Sequence, residues 1–380
     1  MKKSNNVVLG VVSVLVKNSN HNSDFDGPRT IGGQLVATDK SLKYYFRYYV
    51  DSNKEKFGTE IFYRKTLNEK SKPVDIVTRA YVLGCKEIVD YFRFLDNRIF
   101  GCTIIGKKNS EENNTDTDDN NTDDLDSRIK NINSYIKNTD KKIKDKKTES
   151  SEKDVLVSEL DKYKTELDIL KNQKKELDKF VGCTFNGSLQ LTYGGNIFKN
   201  SKVVHNTITS QFQSGDSKDA STIGSEHKVS EANYIHNFTL HPKKLDRDIL
   251  LNSLKYDDKT IKPIITENDV ELVKHAFSAC VGSSLDGSYN SASKSGTTIG
   301  LTIYVTLNED CQKQLSISNV VSCEEYNKYN LSKLYSWVEK NRNHIKLVDI
   351  SYVDGVVEFT EDFPNDDIYN ISDGGYDMKK

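Results

Sequence analysis

"VVLGVVSVLVKNSNHNSDFDGPRTIGGQLVATDKSLKYYFRYYV", residues 7–50, begins with ten almost wholly apolar residues, crosses a polar stretch rich in asparagine, aspartate and glycine, and ends on an aromatic, lysine-bearing segment. Such an apolar run reads as a buried strand. Thr38 is a candidate N-cap, and Leu42, Tyr45, Phe46, Tyr49 and Val50 recur at helical spacing on one face, with Lys40, Lys43 and Arg47 opposite. The first unit is therefore strand, loop, helix. The opening "MKKSNNVVLGVVSVLV" imitates a secretory signal, but no small-residue cleavage pattern follows, and a buried first strand accounts for the same run.

Length and composition bound what this unit belongs to. The 380 residues allow one large decorated domain or two ordinary ones. With 36% hydrophobic and 29% charged residues, and no apolar run of about 20, a soluble, cytoplasmic protein is expected. The net charge of −2 hides an asymmetry. Ser110 to Ser127 holds eight acidic residues and Glu361 to Lys380 holds six with two lysines, so removing both leaves 52 basic against 42 acidic residues. That balance permits a polyanionic partner. The cysteines Cys85, Cys102, Cys183, Cys280, Cys311 and Cys323 form no C-x-x-C pair and read as reduced thiols.

Further strand-like runs lie at Asp75 to Leu83, Arg98 to Ile105, Ser188 to Tyr193, Ala232 to His241 and Thr297 to Leu307, and a second capped helix opens at Thr266 with Val270, Val273, Ala276 and Phe277 on one side. Two strand–helix–strand passages predict an α+β class, specifically a ferredoxin-like βαββαβ core with long insertions. Leu125, Ile129, Ile132, Ile136 and Ile143, then Leu156, Leu160, Tyr163, Leu167, Leu170 and Leu177, keep a heptad rhythm broken at Thr139 and Lys174. They predict an inserted antiparallel coiled-coil hairpin behind an unstructured acidic linker. The expected organisation is residues 1–106 and 181–360 for the core, 107–180 for the linker and hairpin, and 361–380 for an acidic tail.

Catalytic motifs are sparse. The acidic stretch starting at Asp116 has Asn121 where a calcium loop needs glycine and Ser127 where it needs glutamate. His21, His205, His227, His236, His241, His275 and His344 form no metal-binding pair on a helix, and no Walker, G-x-S-x-G or dinucleotide pattern occurs, so neither a metal nor a cofactor is expected. Nucleic-acid features instead recur in three polar stretches. The loop before the first helix offers Asn20, Arg29, Lys40, Lys43 and Arg47, against which Asp24, Asp26 and Asp39 work. Thr209 to Val229 reads as a long projecting loop, and "YNSASKSGT", Tyr289 to Thr297, could wrap a phosphate with Ser293, Lys294 and Ser295.

Taken in order, these blocks resemble the RAMP-type, RRM-like backbone subunit of the type I CRISPR Cascade complex, in the type I-B branch. The resemblance rests on Asn18, Asn20, Asp24, Pro28 and Arg29 with "VATDKSLK", on "RIFGCT" and "NGSLQLTYGG", on "STIGSEHKV" with "YIHNF", and on "ITENDVELVKHAF" followed by "SKSG". Ser23 stands where the family has glycine, Glu231 where neutral or basic residues are common, and the helical hairpin is not expected of the family. The resemblance implies an RRM-like palm with finger and thumb, the thumb being 209–229, repeated along one guide RNA and gripping its backbone while base pairing reads target DNA in antiviral defence. It adds Gln190, Phe212, His227 and Lys228 to the implied RNA contacts and makes other Cascade subunits and copies of the chain the partners. It implies no enzymatic activity. The competing expectation is a metal-dependent RNA endonuclease, as in related type III backbones, using Asp24 or Asp26.

Overall fold

The computed structural model describes residues 2–24, 26–68, 71–104, 122–144, 150–178, 183–210, 222–245, 265–282, 294–376 and 378. The acidic run up to residue 121, Phe212 and Ser293 lie outside them. The chain forms two units, one of Met1–Arg64, Phe92–Gly101 and Asn186–Lys380, the other of Lys65–Tyr91 and Cys102–Phe185. Among the described residues no helix is long and apolar enough to cross a membrane.

The first unit is a large mixed sheet with helices. Its main elements are β1 (Val8–Ser19), β2 (Gln34–Ala37), α1 (Asp39–Ser52), α2 (Leu95–Phe100), β3 (Leu189–Leu191), β4 (Gly194–Asn196), β5 (Val203–Ser210) and β6 (Thr222–Leu240). They continue with α3 (Glu267–Ala279), β7 (Thr297–Leu307), α4 (Ser332–Asn341), β8 (Ile345–Tyr352) and β9 (Tyr369–Asp373). The strand order is β9-β8-β7-β1-β6-β4-β2, with β3 and β5 also paired to β6. β1 lies antiparallel to both β6 and β7.

That central position explains the composition of β1. On one face Phe46 of α1 and Phe238 of β6 meet Phe277 of α3, with ring centroids 5.0 and 5.3 Å apart. On the other, Leu9, Val11 and Leu15 pack with Leu301, Ile303, Val305 and with Leu334 and Val338 of α4. Covering both faces removes the need for polar alternation. Local signals start the helices where expected. Thr38 accepts a hydrogen bond from Ser41 N–H at 3.3 Å, and Thr266 and Asp269 form a reciprocal capping box.

Four stretches differ from the sequence expectation. Asp75 to Leu83 is the helix Ile76–Val82, because the Asp75 carboxylate accepts from Val77 and Thr78 N–H, both at 2.9 Å, and so caps a turn that its β-branched residues alone would not favour. Arg98 to Phe100 closes α2, and the strand begins only at Gly101. At the ends of the Thr209 to Val229 stretch, β5 pairs with β6 from Val203↔Val229 to Ser210↔Thr222, so its described residues form an antiparallel arm, while residues 211–221 lie outside the described residues. The acidic C-terminus joins the sheet: β9 runs parallel to β8, and Tyr376 is 2% exposed.

In the second unit, the helices Thr122–Lys144 and Ser150–Asp178 lie side by side. Arg128 reaches Glu166 and Tyr135 reaches Glu159, a falling register that makes them antiparallel. Ile132, Leu167 and Leu170 form a thin core supported by Ile129, Ile136 and Tyr163. Cys85, Cys102 and Cys183 are buried and outside any disulfide, and the Cys102 contact together with burial holds the Cys183 thiol far above its ordinary range. Lys65–Tyr91 also belongs to this unit rather than to the sheet.

Candidate nucleic-acid interface

The C-terminal end of β1 is where separate polar stretches meet. Ser19 pairs with Val229 of the arm and Val16 with Thr297 of β7. Lys17 N–H donates to Gly296 carbonyl oxygen at 2.7 Å, and the Ser19 and Thr297 hydroxyls lie 2.9 Å apart. A Cβ on Gly296 would fall 1.8 Å from the Lys17 carbonyl oxygen, so only glycine permits this approach. The segment Lys294–Gly296 is thereby clamped beside the residue from which the glycine-bearing loop departs. That loop is tied to α1, because Asn22 Oδ1 accepts from Thr38 N–H at 3.0 Å.

An aromatic cluster underlies this junction. His21 is 2% exposed, stacks on Tyr45 of α1 at 5.6 Å between centroids, and meets Tyr234 of β6 at 5.7 Å. The Lys294 ammonium lies 5.9 Å from the Tyr45 ring centroid. Burial, the neighbouring His236 and the Lys294 charge depress the His21 pKa to about 3, so its ring is neutral at working pH. Burial likewise lowers His236 to about 4, against a hydrogen bond to the Thr192 carbonyl. In the sequence, Tyr45 stands on the apolar stripe of α1 and His21 among histidines without a metal-binding partner on a helix. The signal for the cluster was a histidine placed directly after a buried strand.

The predicted contact residues divide by their neighbours. Asn20, Arg29, Lys294 and Ser295 belong to the two loops at this junction, and Lys40 is exposed in the first turn of α1. Asn20 Oδ1 accepts from the Ser23 hydroxyl. The half-buried Arg29 side chain places its guanidinium 3.4 Å from Asp24. Lys43 pairs with Asp39 at 2.7 Å and sits over the Phe100 ring. His227 and Lys228 lie on β6 at the base of the arm, Lys228 paired with Glu226 at 3.1 Å.

Two residues stand apart. Arg47 donates to the fully buried Asp96 at 3.0 Å and stacks on Tyr63 and Phe100, so its charge is used inside the unit. Gln190 pairs with Thr239, whose other partner is Leu9, and so lies toward the opposite end of β1. The structure thus gives both residues a place in the architecture rather than at the loop junction. Asp24, the candidate nuclease residue, accepts Asp26 N–H at 3.1 Å and faces Arg29.

Comparison with known proteins adds three findings. No curated protein sequence matches the chain. A solved chain from a structure titled "CRISPR RNA-guided surveillance complex" is 11% identical, covers 94% of this chain and 95% of its own, and superposes with a TM-score of 0.42. A second, from "CRISPR RNA-guided surveillance complex, pre-nicking", is 13% identical, with 94% and 96% coverage and a TM-score of 0.44. The family model of the CRISPR-associated protein Cas7 matches residues 6–339, nearly the whole chain, and the chain therefore belongs to the Cas7 family.

Proposed function

We infer that this protein is the CRISPR RNA-binding backbone subunit of a Cascade-type surveillance complex. Family membership sets the class, and the observation that carries the site is the convergence of the loop after β1, Lys294–Gly296 and the β5–β6 arm at one sheet end. Basic side chains and loop amides on a rigid sheet end suit phosphate contacts, which position a strand without reading its sequence. The order β7-β1-β6-β4, with α1 and α3 between successive core strands, supports a ferredoxin-like, RRM-like palm. The β5–β6 arm is the proposed thumb, and the helix pair Thr122–Lys144 and Ser150–Asp178 the proposed coiled-coil insertion. We assign the chain to the type I-B branch, with target DNA, further copies of itself and other Cascade subunits as partners in the cytoplasm. Phe212 and Ser293 stay in the proposed contact set by family resemblance alone.

The scaffold reading is non-catalytic. The arrangement that favours it over an Asp24- or Asp26-dependent nuclease is the engagement of Asp24 with Arg29 and with Asp26 N–H. Incubating the assembled complex with guide-complementary RNA and divalent ions tests this, and Asp24→Ala-sensitive cleavage would overturn it. The primary test is purification from the native operon context followed by sequencing of co-purifying nucleic acid. Uniform-length RNA with repeat-derived ends in a high-mass complex is expected; protein free of RNA overturns the assignment.

A further inference from the structure

His205 on β5 and His227 on β6 are direct partners in the antiparallel ladder of the arm. Their Nδ1 atoms face each other at 2.5 Å, with ring planes at 87° and centroids 4.6 Å apart. Two imidazole nitrogens in this opposition cannot both carry hydrogen, so at least one presents its lone pair to the space between the rings. Gly27, at φ +116°, packs against the His227 ring: a Cβ there would lie 3.3 Å from both Cγ and Nδ1. This close approach restricts the ring and holds Nδ1 toward β5.

We propose that His205 and His227 chelate one divalent transition-metal ion of the zinc class through their Nδ1 atoms. Directly opposed residues of an antiparallel pair have Cβ atoms about 4.5–5.5 Å apart, a span that lets two imidazoles converge on one ion. Metal–nitrogen bonds of about 2.0–2.1 Å at a tetrahedral centre require the two nitrogens to be about 3.3 Å apart, which a modest rotation of either ring reaches. Neutral imidazole suits zinc, copper or nickel and not magnesium or calcium. The flanking Glu226 and Lys228 neutralise each other and, by strand alternation, point to the other face. Among the described residues no group of three or more His, Cys, Asp or Glu is arranged for a metal, so water completes the shell. Such an ion would pin the arm's two strands together and add positive charge at its base, a role beyond the RNA-scaffold assignment.

The test is titration calorimetry of the full-length chain, stripped with chelator, against zinc chloride at about pH 7.5. Expected are one saturable zinc equivalent, no heat from magnesium, and about tenfold or greater weakening in His205→Gln and in His227→Gln. In the unmodified chain, zinc should also protect both histidines from diethyl pyrocarbonate, read by peptide mass mapping, which keeps the test valid if a variant misfolds. Absence of binding and of protection, or unchanged zinc binding in the double variant, overturns the proposal and leaves an imidazole–imidazole hydrogen bond. RNA co-purification is scored separately, so failure of the metal site does not count against the scaffold.

Discussion

Asp96 illustrates how one residue changes the meaning of another. It is fully buried and accepts Phe62 and Tyr63 N–H groups at 2.8 and 3.0 Å as well as Arg47 Nε. Arg47→Ala leaves that carboxylate without its cation, and a loss of about 3–5 kcal/mol is expected in denaturant unfolding. His21 sets a pH dependence. Its folded pKa is about 3 against an ordinary 6.5, so between these values the unfolded chain binds a proton that the folded chain refuses. Stability attributable to this residue is therefore complete above about pH 6.5 and declines toward pH 3 by up to about 1.4 kcal/mol per pH unit. His21→Phe should flatten part of the measured slope, and the remainder belongs in part to His236, lowered to about 4. At the interface, Arg29→Ala and Lys294→Ala should weaken RNA binding almost equally across sequences, each reducing the salt slope by about one. A changed sequence preference would contradict phosphate contact.

Among the elements, the segment Lys294–Gly296 depends on one backbone approach. Gly296→Ala forces its new methyl into the Lys17 carbonyl oxygen, so the segment must leave β1. RNA affinity should fall more than for Lys294→Ala, while far-ultraviolet circular dichroism stays that of a folded sheet. The helix pair presents the opposite case. Its core of Ile132, Leu167 and Leu170 is formed between its own two helices, and replacing residues 107–180 by a short Gly/Ser linker should leave RNA co-purification intact. Loss of RNA in that deletion would move the function toward the insertion. Element types were legible in the sequence where caps and periodicity agreed, as at Thr38 with its Leu42, Tyr45, Phe46, Tyr49 and Val50 stripe. They misled at Asp75, where β-branched residues suggest a strand and the carboxylate cap decides for helix. The polar composition of Thr209 to Val229 suggests a loop, yet its described residues pair in a ladder that is exposed over most of its length.

For the whole molecule, the acidic C-terminus matters more than its composition suggests. Arg342 pairs with Asp366, β9 extends the sheet, and the Tyr376 hydroxyl donates to Glu271 at 2.6 Å beside the buried Lys274–Asp349 pair. Tyr376→Ala should cost about 3 kcal/mol or more in thermal or chemical unfolding, an effect that a free tail would not produce. Local pattern alone specifies that Val7 to Val16 is a buried strand, where α1 and α3 begin, and that the chain is built from strand–helix–strand passages. Those properties depend on neighbours within a few residues, or on the average polarity of a run, and a linear pattern records both. The folded chain alone brings His21, Tyr45, Tyr234 and Lys294 into one cluster, sets Arg47 against Asp96, and places residues near position 370 at the edge of the sheet. Each of these joins groups far apart in the chain, and their proximity follows from strand order and register, which no local periodicity encodes.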